Sequence, residues 1–195
     1  MPADGRHTHQ ARIIPHPLPK RRNATYNANP VVRHDRIVSV CMLREGRMEL
    51  YWTKRMSVGN ETMDSEHIRI LELVNAVDGA IRNRDETAFA RALERLEETA
   101  RIHFGNEEKI AQAIGFPFEE HNLEHAYILD QFSEIKAQLA AHRGAWSESM
   151  AEYYYEFLST WAVDHVLEDD MQMKILLETY PYDFRPKGLT GLNRA

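Results

Sequence analysis

The chain has 195 residues, is 43% hydrophobic and 28% charged, and carries a net charge of −6, the balance of one globular domain large enough to bury a core. Its single cysteine, Cys41, closes no intrachain disulfide and offers no thiolate cluster, which removes disulfide scaffolds and zinc-finger chemistry. No run approaches the roughly 20 apolar residues of a membrane span, and residues 1–10 lack the apolar segment of a secretory signal, so the protein is expected in the cytoplasm and off the membrane.

Residues 1–47 carry a net charge of +6 and the remainder −12. The acidic bulk repels phosphate, so nucleic-acid binding is not expected. The basic segment holds five of the eight prolines and no sustained periodicity, and is read as a disordered extension. His7, His9, His16 and His34 within it lack ligand-like spacing. Beside plain disorder, the segment offers two functional readings, a basic tether to an anionic partner and a metal-catching tail of these histidines, and a translation start at Met48 behind Glu45-Gly46 would leave it out of the native product.

The domain, residues 48–195, reads as four helices. The first runs from about Asp64 to Arg84 with His67, Leu71, Val74, Val77 and Ile81 on one side. The second, from about Glu86 to Ile114, carries Phe89, Leu93, Leu96, Ala100, His103, Glu107, Ile110 and Ile114, and stops at Gly115-Phe116-Pro117. The third begins near Phe118, presents His121, His125, Ile128, Phe132, Ile135 and Leu139, and ends at Arg143-Gly144. The fourth starts from Ser147 as N-cap and presents Met150, Tyr154, Phe157, Trp161 and His165. One buried face per helix and short connections predict an all-α, up-down antiparallel four-helix bundle. No strand signal competes.

His67, His103, Glu107, His121, His125 and His165 occupy the same stripes as Leu, Ile and Phe. A buried polar ring or carboxylate without a partner costs a few kcal/mol. Six of them would exhaust the roughly 5–15 kcal/mol by which a domain is stable. A metal centre satisfies them together. His165 alone would pass for a satisfied core histidine, but His121/His125 and His103/Glu107 each point one way from their helix, and only a bundle centre gathers all of them. His142, beside Arg143-Gly144, is off the stripe and is given no metal role. Imidazole and carboxylate without thiolate suit Fe, Zn, Mn or Co, and the donors outnumber the needs of one tetrahedral zinc. His121-Asn-Leu-Glu124-His125 also matches the H-x-x-E-H pattern of inverted zinc peptidases, which leaves three histidines unexplained and is set aside.

These residues resemble the hemerythrins, the bacteriohemerythrin group in particular. The likeness runs through Trp52, Ser57-Val-Gly59, Asp64-Ser-Glu-His67, His103-Phe-Gly-Asn-Glu107-Glu108, Gly115-Phe-Pro117, His121-x-x-x-His125 and Trp161-x-x-x-His165 followed by Asp170, over about residues 50 to 180. It implies a pair of non-haem iron ions with O₂ as ligand. His121, His125 and His165 would hold one iron, His67 and His103 the other, and Glu107 and Asp170 would bridge them. Helical geometry alone favours Asp169 over Asp170, because five residues beyond His165 is roughly 140° off that face; a wider turn there would resolve the conflict. The function implied is reversible O₂ binding for storage, delivery or scavenging, without catalysis. The rival readings are a redox-sensing module and a peroxidase-like or nitric-oxide-handling di-iron enzyme. The oligomeric state expected is a monomer or weak homo-oligomer, with no protein partner indicated.

Overall fold

The start of the first long helix is set by Asn60, whose side-chain carbonyl accepts hydrogen bonds from the backbone N–H groups of Thr62 and Met63. The computed structural model describes residues 41–44, 47–142 and 146–192, and helix α1 follows from this cap over Glu61–Arg82. Asp64, where the sequence reading starts the helix, lies in its first turn and accepts from Val58 N–H and Ser57 Oγ, which ties down the approaching chain.

Asp85 caps α2, Glu86–Ile114, by accepting from Ala88 N–H. That helix ends at Gly115 with φ of 73°, a left-handed conformation that glycine adopts without a Cβ penalty. The turn delivers the chain into α3, Glu119–Ala141. His142 closes α3 as an exposed residue, its Nδ1 against the Gln138 carbonyl at 2.7 Å. Ser147 accepts from Met150 N–H and begins α4, Glu148–Asp164. Beyond Asp164 the helix widens into a π-type turn over His165–Asp169, tightens to a 3₁₀ turn over Asp170–Met173, and finishes as a single α-turn, Lys174–Leu177.

The four long helices form the bundle expected, α1 lying against α2 and α4, and α2 against α3. The main core runs its length and includes Leu71, Val74, Phe89, Leu93, Leu96, Phe132, Tyr154, Leu158 and Trp161. A smaller apolar cluster, Val58, Met63, Ile110, Ile114, Phe118, Met173 and Leu177, closes one end. Among the described residues no helix is long and apolar enough to cross a membrane.

One element has no counterpart in the sequence reading. Strand β1, Cys41–Arg44, pairs antiparallel with β2, Arg47–Leu50, with Cys41 opposite Leu50 and Arg44 opposite Arg47. Four-residue strands are too short to display alternation, and Glu45-Gly46 is not among the strong two-residue hairpin signals. The ribbon corrects the reading of residues 1–47 as a disordered extension, since β1 and the first residue of β2 fall within it; residues 1–40 and 45–46 lie outside the described residues. Asn75 on α1 anchors the ribbon as a strand would. Its Oδ1 accepts from Leu50 N–H at 2.9 Å and its Nδ2 donates to the Leu50 carbonyl at 2.7 Å.

After Leu177 the chain turns back over the start of α1. Glu61 N–H donates to the Tyr182 carbonyl at 2.8 Å, Asn60 Nδ2 to the Phe184 carbonyl at 2.9 Å, and Tyr182 Oη to Asp64 Oδ2 at 3.1 Å. Phe184 and Leu189 pack against the smaller apolar cluster.

Candidate metal centre

The interior face of each helix contributes to one polar island between the two apolar clusters. His67 comes from α1, His103 and Glu107 from α2, His121 and His125 from α3, and His165 from the π-type turn that leads to Asp170. All seven side chains are buried, Asp170, Glu107, His67 and His103 completely. The π-type turn supplies the extra residue per turn that brings Asp170, five positions beyond His165, onto the interior face. Asp169 is buried too, but its Oδ2 lies 3.7 Å from His165 Nδ1, on the side of that imidazole away from the island.

Asp170 divides its oxygens. Oδ1 lies 3.2 Å from the Nε2 atoms of both His121 and His165. Oδ2 lies 2.8 Å from His67 Nε2 and 3.7 Å from His103 Nε2. Glu107 also straddles the island, with Oε1 3.2 Å from His121 Nε2 and Oε2 3.1 Å from His125 Nε2 and 3.9 Å from His103 Nε2. The Nε2 atoms of His125 and His165 face each other at 3.2 Å.

Despite these short separations, both oxygens of Glu107 and of Asp170, and Nε2 of His67, His103 and His121, make no hydrogen bond. Each such buried atom costs about 1–3 kcal/mol if left so. Their spacing has a different logic. An octahedral first-row cation about 2.1 Å from its nitrogen and oxygen donors sets adjacent donors about 3.0 Å apart, and a tetrahedral one about 3.4 Å. The 2.8 and 3.2 Å separations around Asp170 match those edges. Donor set and spacing fit first-row cations held by nitrogen and oxygen, without sulfur.

The charges are mutually dependent. Burial, reinforced by the Asp170 charge, pushes the Glu107 carboxyl up to about 8. Burial also works against the ionised form of Asp170, but the surrounding imidazoles, His165 foremost, outweigh it and hold that carboxyl well below the usual range. Burial lowers His125 and His165, aided by neighbouring imidazoles. It would lower His121 as well, yet Asp170 and Glu107 prevail and lift that imidazole to about 10. Cations at the centre of the island would take over the role these protons play.

Two supporting groups escaped the sequence reading. Glu66 is buried, and its Oε2 lies 3.1 Å from His103 Nδ1, the geometry that keeps the proton on Nδ1 and turns the Nε2 lone pair inward. Asn106 donates to the other Glu66 oxygen at 2.6 Å. The available signal was modest: Asn106 stands three residues after His103 on the same helix side, and Glu66 adjoins His67. Aromatic rings wall the site. Phe104 stacks on His125 with centroids 3.7 Å apart and an 11° tilt, Phe118 stacks on His121 at 4.9 Å, and Trp161 approaches His165 at 6.2 Å.

Residues 58–177 match the family model described as the hemerythrin HHE cation-binding domain. A bacteriohemerythrin of Pseudomonas paraeruginosa is 26% identical over 122 residues, which is 62% of this chain and 76% of the relative. A bacteriohemerythrin of Stenotrophomonas maltophilia is 23% identical over 147 residues, 73% of this chain and 93% of the relative. The crystal structure of a hemerythrin point mutant superposes with a TM-score of 0.57 at 19% identity, covering 66% of this chain and 96% of that one. That likeness speaks to the fold.

Proposed function

We propose, because the chain belongs to the hemerythrin family, that its buried island holds two non-haem iron ions and binds O₂ reversibly, for storage, delivery or scavenging. The observation that carries this is the division of Asp170, one oxygen toward His121 and His165 and the other toward His67 and His103. On this reading His121, His125 and His165 hold one ion, His67 and His103 the other, and Glu107 and Asp170 bridge them. The ion on the His67/His103 side would then have one histidine fewer and would be the one to take the small ligand. When bound, the iron pair supplies the electrons and the open coordination position for O₂.

The chain's own groups do the rest. Seven buried side chains fix donor positions, so little rearrangement accompanies uptake or release. Glu66 holds the His103 tautomer. Phe104, Phe118 and Trp161 exclude water from the imidazole faces, and so slow loss of the bound ligand by protonation.

The test is metal analysis with absorption spectra under argon and air. Two irons per chain and a visible band that grows in air and fades under argon are expected. Protein that folds equally well without metal and stays colourless overturns the reading, and sustained turnover of peroxide with a reductant replaces carriage by an enzyme.

A further inference from the structure

The chain beyond the family match, after residue 177, returns to the metal island through one side chain. Asn106 is completely buried, and its amide makes three hydrogen bonds. Nδ2 donates to Glu66 Oε1 at 2.6 Å and to the Thr190 carbonyl at 2.8 Å, while Oδ1 accepts from Thr190 N–H at 2.7 Å. Only this orientation of the amide works, because the reverse would set Oδ1 against a carboxylate and a carbonyl. Glu66 in turn meets His103 Nδ1 at 3.1 Å. A continuous line therefore runs from the Thr190 main chain through Asn106 and Glu66 to His103.

We propose that Asn106 and the Thr190 main chain are positioning groups for His103, so that docking of the C-terminal segment tightens the ion on the two-histidine side while leaving the three-histidine side alone. The inference rests on the reading that His67 and His103 share one ion. Its physical basis is that an imidazole ligand is only as well aimed as the acceptor on its far nitrogen, and Glu66 is held from behind by Asn106 alone among its described hydrogen bonds. Asn106 is in turn pinned by two hydrogen bonds to one residue of the segment. Among the described residues, no hydrogen bond from the segment after residue 177 leads to His121 or His125.

The segment is well placed to transmit this. Tyr182 and Phe184 are bonded to Glu61 and Asn60, and Arg185 Nε donates to Thr62 Oγ1 at 3.2 Å, so Thr190 arrives at Asn106 from a fixed direction. Linkage makes the effect reciprocal. Whatever docking adds to iron affinity, iron adds to docking.

The experiment uses the full chain loaded with ferrous iron under argon and challenged with excess coloured ferrous chelator. Thr190→Pro removes one N–H donor at an exposed position, and Asn106→Ala removes the whole link. One of the two iron equivalents is expected to leave about tenfold faster in both variants, the scale on which such supporting groups act, while the other keeps its wild-type rate. In the wild type, hydrogen exchange at Thr190 N–H is expected to slow by a similar factor on iron loading. Unchanged release in Thr190→Pro, equal acceleration of both equivalents, or exchange indifferent to iron each overturns the proposal. Should Asn106→Ala fail to fold, Thr190→Pro and the wild-type exchange measurement still decide. Failure of the iron-pair reading itself shows differently, as wild-type protein that does not take up two irons.

Discussion

Replacing Phe104 by leucine separates the packing role of the aromatic wall from its role in keeping the site dry. The ring stacks on His125 at 3.7 Å and 11°, meets His165 at 5.6 Å and 74°, and is 5% exposed. A well-placed aromatic pair is worth about 0.5–1.5 kcal/mol beyond the area it buries. The smaller side chain forfeits in addition about 1 kcal/mol of contacts and residual void. The expected loss is about 2 kcal/mol, which for a domain of this size lowers the melting temperature by about 4–8 °C. Melts of metal-free protein measure that part. The second readout is the half-life of the coloured, oxygenated protein, expected to shorten several-fold as water reaches the His125 face. A melting shift of the stated size with an unchanged colour half-life would refute the dry-wall argument, and no melting shift would refute the stacking argument beneath it.

Asp170→Asn is expected to abolish uptake of the iron pair, whereas Asp169→Asn should retain two irons per chain and shift only the spectrum; equal iron content in the two variants, measured by elemental analysis, contradicts the assignment. Burial pushes the Glu97 carboxyl up, but Lys136 and Arg101 outweigh it and hold it below its ordinary value. A depressed folded-state value contributes stability above the unfolded value and loses it as pH falls through the folded one. Glu97→Gln should therefore cost about 0.5–1 kcal/mol at neutral pH, and urea melts should show the gap closing in acid below the ordinary carboxylate range. Gly115→Ala meets nothing within 4 Å of the added Cβ, so its cost is the left-handed backbone alone. About 1 kcal/mol is expected from thermal melts, with iron content unchanged.

The bundle was legible because its signals are local and redundant. Gly115, Ser147 and the stripes on four helices each point to the same boundaries, and the structure departs by only a few residues. Asn60 was overlooked as the cap because Asp64, four residues on, is an equally good capping type; the structure uses Asp64 to hold Ser57 and Val58. Six of the seven island residues could be named because a histidine among leucines has no bland explanation once six polar groups share the buried stripes. Asp170 was different. Regular helical geometry points to Asp169, and only the family resemblance pointed past it, since no composition rule announces where a helix will widen. The roles of Glu66 and Asn106 and the return of residues 178–192 were hard to read for a related reason. Their partners lie far away in sequence, as between Asn106 and Thr190, 84 positions apart, and periodicity carries no information at that range.

A ribosome delivers Asn60 and Asp64 long before the residues that cover them, since Phe184 follows Asn60 by 124 positions and Tyr182 follows Asp64 by 118. At about 5–20 residues per second this interval lasts roughly 6–25 s. Through most of it the growing polypeptide carries His67 and then His103 without Asp170, the carboxylate that lies 2.8 Å from His67 Nε2. The seven donors are thus together only in a polypeptide whose synthesis is nearly complete, and any cation they hold would be taken up at the end of synthesis or after it.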